Sequence, residues 1–174
     1  MNLQLLTTMP ALSIYYDTKN DWLYLDWQGD LTLQEVQAGC FAVAQCFLTN
    51  NYTRVLNDKS NVTSFPHEVA SWLTTDFLPY IQLTSIQYIA WTYSPGVDTW
   101  SLAENVLRQV TKPVVAVFDD LESAYAWLKA ACYRLPGQRN ASSPSVADKE
   151  EFRIKMQSVV DQITAHRQQM ALAS

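Results

Sequence analysis

The feature that most constrains the fold is an alternation of short apolar runs with longer amphipathic segments along residues 12–131. Residues 86–93 are apolar at nearly every position, which is typical of a strand covered on both faces. Residues 54–58 and 113–118 are similar short runs, and segments with helical periodicity follow each of them. Strands that alternate with helices in this way indicate a largely parallel sheet with helical cover.

Residues 12–17 and 21–28 are β-rich runs separated by a short polar turn, so they are expected to form an antiparallel hairpin at the sheet edge. The predicted order is β-β-α-β-α-β-α-β-α, a mixed, mainly parallel five-stranded sheet in an α/β domain of residues 1–134. The helices are expected to open at Thr32, Pro66, Asp98 and Asp119, with the third running to about residue 110.

A linker and a separate helix are predicted after this domain. Residues 135–147 are rich in Pro, Gly, Ser and Asn, whereas residues 148–174 contain neither Gly nor Pro. This amphipathic helix is expected to pair, either between two chains in a homodimer or by folding back over its own sheet. The predicted pairing stripe consists of Phe152, Met156, Val159, Ile163, His166 and Met170.

Charge and composition exclude several classes of partner. A net charge of −5 and a pI near 4.9 argue against binding to nucleic acid or to an anionic membrane. The sequence contains no apolar run of about 18 residues, which is the length that would predict a membrane span. Residues 1–10 do not resemble a signal peptide. The chain is therefore expected to be cytoplasmic, with Cys40, Cys46 and Cys132 as reduced thiols.

Catalytic groups are scarce in the sequence. The two histidines, His67 and His166, have no partners at metal-ligand spacing, and no nucleophile elbow or phosphate-binding loop occurs. Four glycines are too few for a Gly-rich phosphate cradle. We therefore expect no enzyme activity, no metal and no cofactor.

A polar segment follows the short strand at residues 54–58 and leads into the helix at Pro66. Open α/β sheets place ligands and partners at this end of their strands. The segment is predicted to contact a protein partner or to accept a phosphate group, or alternatively to supply ordinary turn and capping residues. Its candidate residues are Asp58, Ser60, Ser64 and His67.

Aromatic residues suggest a second hypothesis. Six tryptophans and nine tyrosines are many for a small domain, and some of them are predicted to line a pocket for a small apolar molecule or a lipid. The alternative is that they only pack in the core. The candidate pocket residues are Trp72, Tyr80, Trp91, Tyr93 and Trp100.

Residues 12–129 resemble the SpoIIAA-like fold of STAS domains, in the divergent STAS/SEC14-like branch. The resemblance rests on four stretches, Leu23-Tyr24-Leu25-Asp26-Trp27-Gln28-Gly29, Val55-Leu56-Asn57-Asp58-Lys59-Ser60-Asn61-Val62, Ala90-Trp91-Thr92-Tyr93-Ser94-Pro95 and Val117-Phe118-Asp119-Asp120 with the helix that follows.

In STAS proteins an Asp-x-Ser-x-Val pattern is followed by Asp-Ser-Ser/Thr-Gly, whose serine a partner kinase phosphorylates. Residues 58–62 match the first pattern, and residues 63–66 lack the aspartate and the glycine of the second. The resemblance implies a non-catalytic, regulatory protein–protein interaction module of a bacterial cytoplasm, with an unidentified protein partner. The helix after residue 147 lies outside the resemblance.

Overall fold

The computed structural model describes residues 1–81, 83–94, 112–131 and 145–172. The strands are β1 (Leu3–Met9), β2 (Leu12–Asp17), β3 (Trp22–Asp30), β4 (Arg54–Ser64), β5 (Tyr88–Thr92) and β6 (Val114–Phe118). The helices are α1 (Leu33–Thr49), α2 (His67–Trp72), α3 (Leu78–Ile81), α4 (Leu121–Ala131) and α5 (Val146–Leu172). A π-helical turn, Leu73–Phe77, joins α2 to α3.

In the described residues the six strands form one sheet in their sequence order, from β1 to β6. The pairs β1–β2 and β2–β3 are antiparallel, and the strands from β3 to β6 pair in parallel. The predicted α/β class, with a mixed and mainly parallel sheet, is thus confirmed. The predicted count of five strands is wrong, because β1 adds a sixth.

Strand β1 has little signature in the sequence, because its apolar side chains do not bury one face of the strand. Leu3, Leu5 and Leu6 are 41%, 52% and 39% exposed. The strand instead depends on its backbone pairing with β2 and on a bond from the Asn2 amide to a carboxylate oxygen of Asp17, 3.0 Å away. Pairing of this kind depends on a neighbouring strand and leaves no periodic pattern in the sequence.

Two other boundaries differ from the predictions. Strand β4 continues through Ser64, because its later residues pair with β3 as far as Asp30 and Ser64. Helix α5 begins at Val146, so the last residues of the predicted linker are helical. The predicted third helix, 98–110, and most of the linker lie outside the described residues.

The larger core lies between one face of the sheet and a helical layer, which consists of α1 and the α2–α3 segment. Helix α1 begins with the predicted Thr32 cap, whose hydroxyl accepts from the Glu35 amide at 3.2 Å while Glu35 accepts from the Thr32 amide. Gly39 lets α1 approach the sheet, because a Cβ at this position would overlap the Trp27 ring. The position of α1 over β3 therefore depends on this close contact.

Helix α4 covers the opposite face of the sheet, over β4, β5 and β6. Its Ala124 and Leu128 are fully buried in a second cluster that includes Trp22, Leu56 and Ala90. Both faces of the central parallel strands are therefore covered, and for β5 the near-continuous apolar run at residues 86–93 predicts this.

Helix α5 packs against α1 of its own chain. Phe152 and Met156 are each 1% exposed and belong to the larger core. These two members of the predicted pairing stripe are therefore buried within one chain, and pairing of the helix between two chains stays a prediction. The side chains of Val159, Ile163, His166 and Met170 lie outside the described residues.

We expect Phe152→Ala to lower the free energy of unfolding by about 3–5 kcal/mol, because it leaves a cavity in the larger core. Urea denaturation followed by circular dichroism would measure the change. Ile154→Ala is the matched control, since Ile154 is two residues away on the same helix and 58% exposed; its effect should stay within about 0.5 kcal/mol. A loss that depends on protein concentration would instead show that Phe152 packs between chains.

Candidate functional site

Strand β4 sends successive side chains to opposite faces of the sheet. Val55, Asn57 and Lys59 face the larger core under α1 and the α2–α3 segment. Leu56 faces the α4 side of the sheet. The alternation places one polar side chain and one charged side chain within an otherwise apolar layer.

A cavity of about 80 Å³ lies in this layer, and the empty space in and in front of it, including space open to solvent, totals about 720 Å³. Its walls come from the sheet, α1 and the α2–α3 segment. Apolar side chains dominate them, among which are Leu25, Trp27, Val43, Phe47, Phe65, Leu73, Phe77, Ile89 and Trp91. The polar and ionisable exceptions among the described lining residues are Cys40, Asn57 and Lys59.

Lys59 is the unusual member of the cavity wall, because it is 4% exposed. Its ammonium lies 3.9 Å from the centroid of the Trp91 ring and 4.8 Å from that of Phe65. Within the described part of the chain, no carboxylate pairs with it. The aromatic faces therefore supply its electrostatic stabilisation, as cation–π contacts do.

Burial lowers the pKa of Lys59 to about 7, and the nearby Cys40 opposes this shift weakly. Burial also raises the pKa of the Cys40 thiol to about 12, so the thiol stays protonated near neutral pH. Lys59 therefore releases its proton near neutral pH, well below the usual range of an exposed lysine. A lysine pKa this far below the usual value indicates that the ammonium lies in a dry, apolar environment.

A buried hydrogen-bond network occupies the α4 side of β4. The Asp58 carboxylate accepts from the Ser60 hydroxyl and the Thr92 hydroxyl, each at 2.6 Å, and from the Tyr24 hydroxyl at 2.9 Å. Burial works to raise the pKa of Asp58, but the hydrogen bonds from Ser60, Thr92 and Tyr24 outweigh it and lower the pKa. Asp58 is consequently held as a carboxylate.

This network also positions Lys59. The backbone amide of Lys59 donates to the Thr92 hydroxyl at 2.9 Å, and the same hydroxyl donates to Asp58. The register of β3 against β4 shifts just beyond Asp58, so the regular pairing of the two strands is interrupted at this point. The polar network on one face thus fixes the backbone that places the ammonium on the other.

The four residues of the predicted partner surface divide into two pairs. Asp58 is 3% exposed, and its carboxylate is bonded internally to Ser60. The structure therefore does not place Asp58 on a contact surface. Ser64 and His67 are exposed, at the end of β4 and the start of α2.

The predicted aromatic pocket is placed differently from the expectation. Of its five residues, Trp91 lines the cavity, whereas Trp72 stacks on Phe77 with ring centroids 6.0 Å apart. Tyr80 and Tyr93 are not among the described lining residues, and Trp100 lies outside the described residues. The ring of Tyr80 faces Lys155, whose ammonium is 5.6 Å from its centroid.

Sequence reasoning missed Lys59 as a site residue, although it lies in the segment that was singled out. A lysine next to Asp58 in a polar stretch reads as solvent-exposed. The signal that was available is the strand period, since Lys59 is two residues from Asn57 and four from the buried Val55. Its use required knowing that β4 continues beyond residue 58.

Two further properties of the described residues bear on the site. The described residues contain no group of three or more His, Cys, Asp or Glu side chains that could hold a metal ion. Their helices include none that is long and apolar enough to cross a membrane.

Comparisons with known proteins give no match. No protein-family model matches the chain. Neither the curated proteins nor the solved structures contain a match. The chemistry of the site is therefore the basis on which a function can be proposed.

The buried lysine predicts how stability depends on pH. Between the folded pKa of about 7 and the unfolded value of about 10.4, the unfolded chain holds a proton that the folded chain has released. Stability therefore rises with pH in this interval, by up to about 1.4 kcal/mol per pH unit. Relative to Lys59→Met, the wild type should gain about 1.5 kcal/mol between pH 7 and pH 8.5.

Urea denaturation at several pH values would measure this difference. Subtracting the free energy of unfolding of Lys59→Met from that of the wild type removes the contributions of the other titrating groups. These include Cys40, whose raised pKa lowers stability at higher pH. Lys19→Met is the matched control because Lys19 is exposed, and it should run parallel to the wild type. A constant difference between wild type and Lys59→Met would show that Lys59 stays charged.

Proposed function

We propose that this protein is a non-catalytic binding domain that holds a small apolar molecule in the cavity between the sheet, α1 and the α2–α3 segment. The observation that carries the proposal is the cavity itself, which combines apolar walls with few polar groups. Ligand sites in proteins commonly have this composition, because apolar walls supply affinity and a few polar groups fix orientation.

The size of the cavity suits part of a short apolar chain. An apolar cavity of about 150 Å³ binds benzene, and this cavity, at about 80 Å³, is too small for a whole ring. The cavity is partly open, because the empty space in and in front of it includes space open to solvent. A ligand with an apolar end inside and a remainder directed outwards would fit this shape.

The π-helical turn supports a binding role independently. Such turns are rare and frequently occur at functional sites. The turn at Leu73–Phe77 contributes Leu73 and Phe77 to the cavity wall, and Leu78 follows directly. In a π-helical turn, residues five apart share a side, which lets Leu73 and Leu78 both face the cavity.

Binding is proposed rather than turnover because of the groups around Lys59. An amine catalyst usually works with a second group that exchanges protons near neutral pH. The other titratable side chain in the described wall is Cys40, whose pKa of about 12 keeps its proton in place.

A protein-interaction role is the second candidate, and two observations favour it. Ser64 and His67 are exposed beside the start of α2, and the edge strand β1 exposes three leucines. Sheet edges with exposed apolar residues commonly pair with other chains. Under this candidate the chain is a cytoplasmic bacterial regulator of the STAS type that forms a homodimer, with Ser64 as the exposed phosphoacceptor.

Filling the cavity should abolish binding of an apolar probe. Leu78 lines the cavity and is only partly buried, so Leu78→Trp adds bulk at the wall at small cost to the core. We expect isothermal titration calorimetry to show saturable binding of hexan-1-ol to the wild type, and at least tenfold weaker binding to Leu78→Trp.

Thr75→Trp is the matched control, because Thr75 is exposed on the same segment and is not among the lining residues. It should bind hexan-1-ol as the wild type does. If the wild type binds neither hexan-1-ol nor hexanoate, the binding proposal fails and the interaction candidate becomes the leading one.

A further inference from the structure

We propose that the ligand is an apolar monocarboxylate whose carboxylate group pairs with the buried ammonium of Lys59. This inference rests on the proposed binding function and adds the chemical class of the ligand. It starts from an imbalance of charge, since Lys59 is 4% exposed and the described residues provide no carboxylate to pair with it.

Every described element around the ammonium is apolar or uncharged at neutral pH. The cavity wall receives Leu25 and Trp27 from β3 and Ile89 and Trp91 from β5, and the Trp91 ring lies next to the ammonium. Helix α1 contributes the protonated thiol of Cys40 together with apolar side chains. The α2–α3 segment contributes apolar side chains only, among them Leu73, Phe77 and Leu78.

A buried charge without a partner is costly, and an anion brought by a ligand would remove that cost. The anion should carry a single charge, because one ammonium cannot neutralise a phosphate of nearly two charges. The remainder of the ligand should be apolar to match the walls. A small carboxylic acid meets both conditions.

Asn57 provides a second donor for the carboxylate. Its side-chain oxygen accepts from the Trp27 indole at 2.9 Å, which fixes the amide orientation and leaves the NH₂ group as the remaining polar end. Asn57 and Lys59 lie two residues apart on the same face of β4, and both line the cavity. A carboxylate has two oxygens, so it can accept from both residues.

The position in the sheet agrees with a ligand site. The parallel pairing of β4 with β5 ends at Asn57 and Trp91, so Lys59 lies just past the carboxyl end of that pairing. Ligands of open α/β sheets bind at this end of the strands. The Trp91 ring is at the same end and contacts the ammonium.

The inference predicts a distinctive pH profile. A bound carboxylate keeps Lys59 protonated, so binding becomes weaker as pH rises above the pKa of about 7 in the free protein. Affinity for hexanoate should fall roughly twentyfold between pH 6.5 and pH 8.5, close to tenfold per pH unit at the upper end. Affinity for hexan-1-ol should not fall over this range.

Isothermal titration calorimetry with hexanoate and hexan-1-ol would test the inference. At pH 6.5 the wild type should bind hexanoate at least tenfold more tightly than hexan-1-ol, and Lys59→Met should reverse this preference. Lys19→Met, which changes an exposed lysine, should behave as the wild type. The pH profile uses the unchanged chain, so it does not depend on the folding of a variant.

The outcomes separate this inference from the function on which it rests. If hexan-1-ol binds as tightly as hexanoate at pH 6.5, or if Lys59→Met binds hexanoate as tightly as the wild type does, the carboxylate inference is wrong and the cavity remains a binding site. If neither probe binds, the inference and the binding function fail together.

Discussion

The arrangement of the site depends on one constraint, which is the burial of a single lysine in an apolar layer. Lys59 lies between the sheet and α1 with two aromatic rings near its ammonium and no carboxylate partner among the described residues. An apolar residue of similar size would cost less to bury, because it would carry no charge out of water. Keeping the lysine at the wall of the cavity therefore lowers the stability of the fold and provides a group for a polar contact at that point.

Strand β4 connects this site to the rest of the fold. One face carries Lys59, and the other carries the Asp58 carboxylate, which is held by Tyr24, Ser60 and Thr92 on three neighbouring stretches of the sheet. The two faces are linked through the Thr92 hydroxyl, which bonds both the Lys59 backbone and Asp58. A change in the polar network would therefore be transmitted to the ammonium through the backbone.

Helix α5 shows that an apolar stripe does not by itself identify the surface that covers it. A stripe at spacings of three and four identifies the face that is buried, but any apolar surface can cover it. Here Phe152 and Met156 meet α1 of the same chain, so they extend the larger core. The pattern is the same for a dimer and for a fold-back, and the tertiary structure shows that α1 covers Phe152 and Met156 within the chain.

The sequence by itself determined the α/β class, five of the six strands, the Thr32 cap and the covered parallel strands, because these depend on periodicity and local hydrogen bonds. It did not determine β1 or the extension of β4, which depend on pairing with other strands. It pointed to the segment that contains the site and to Trp91, but not to Lys59. Only the tertiary structure decided that Lys59 faces a cavity and that Asp58 is buried, because both depend on the register of β4 and on the helices packed against each face.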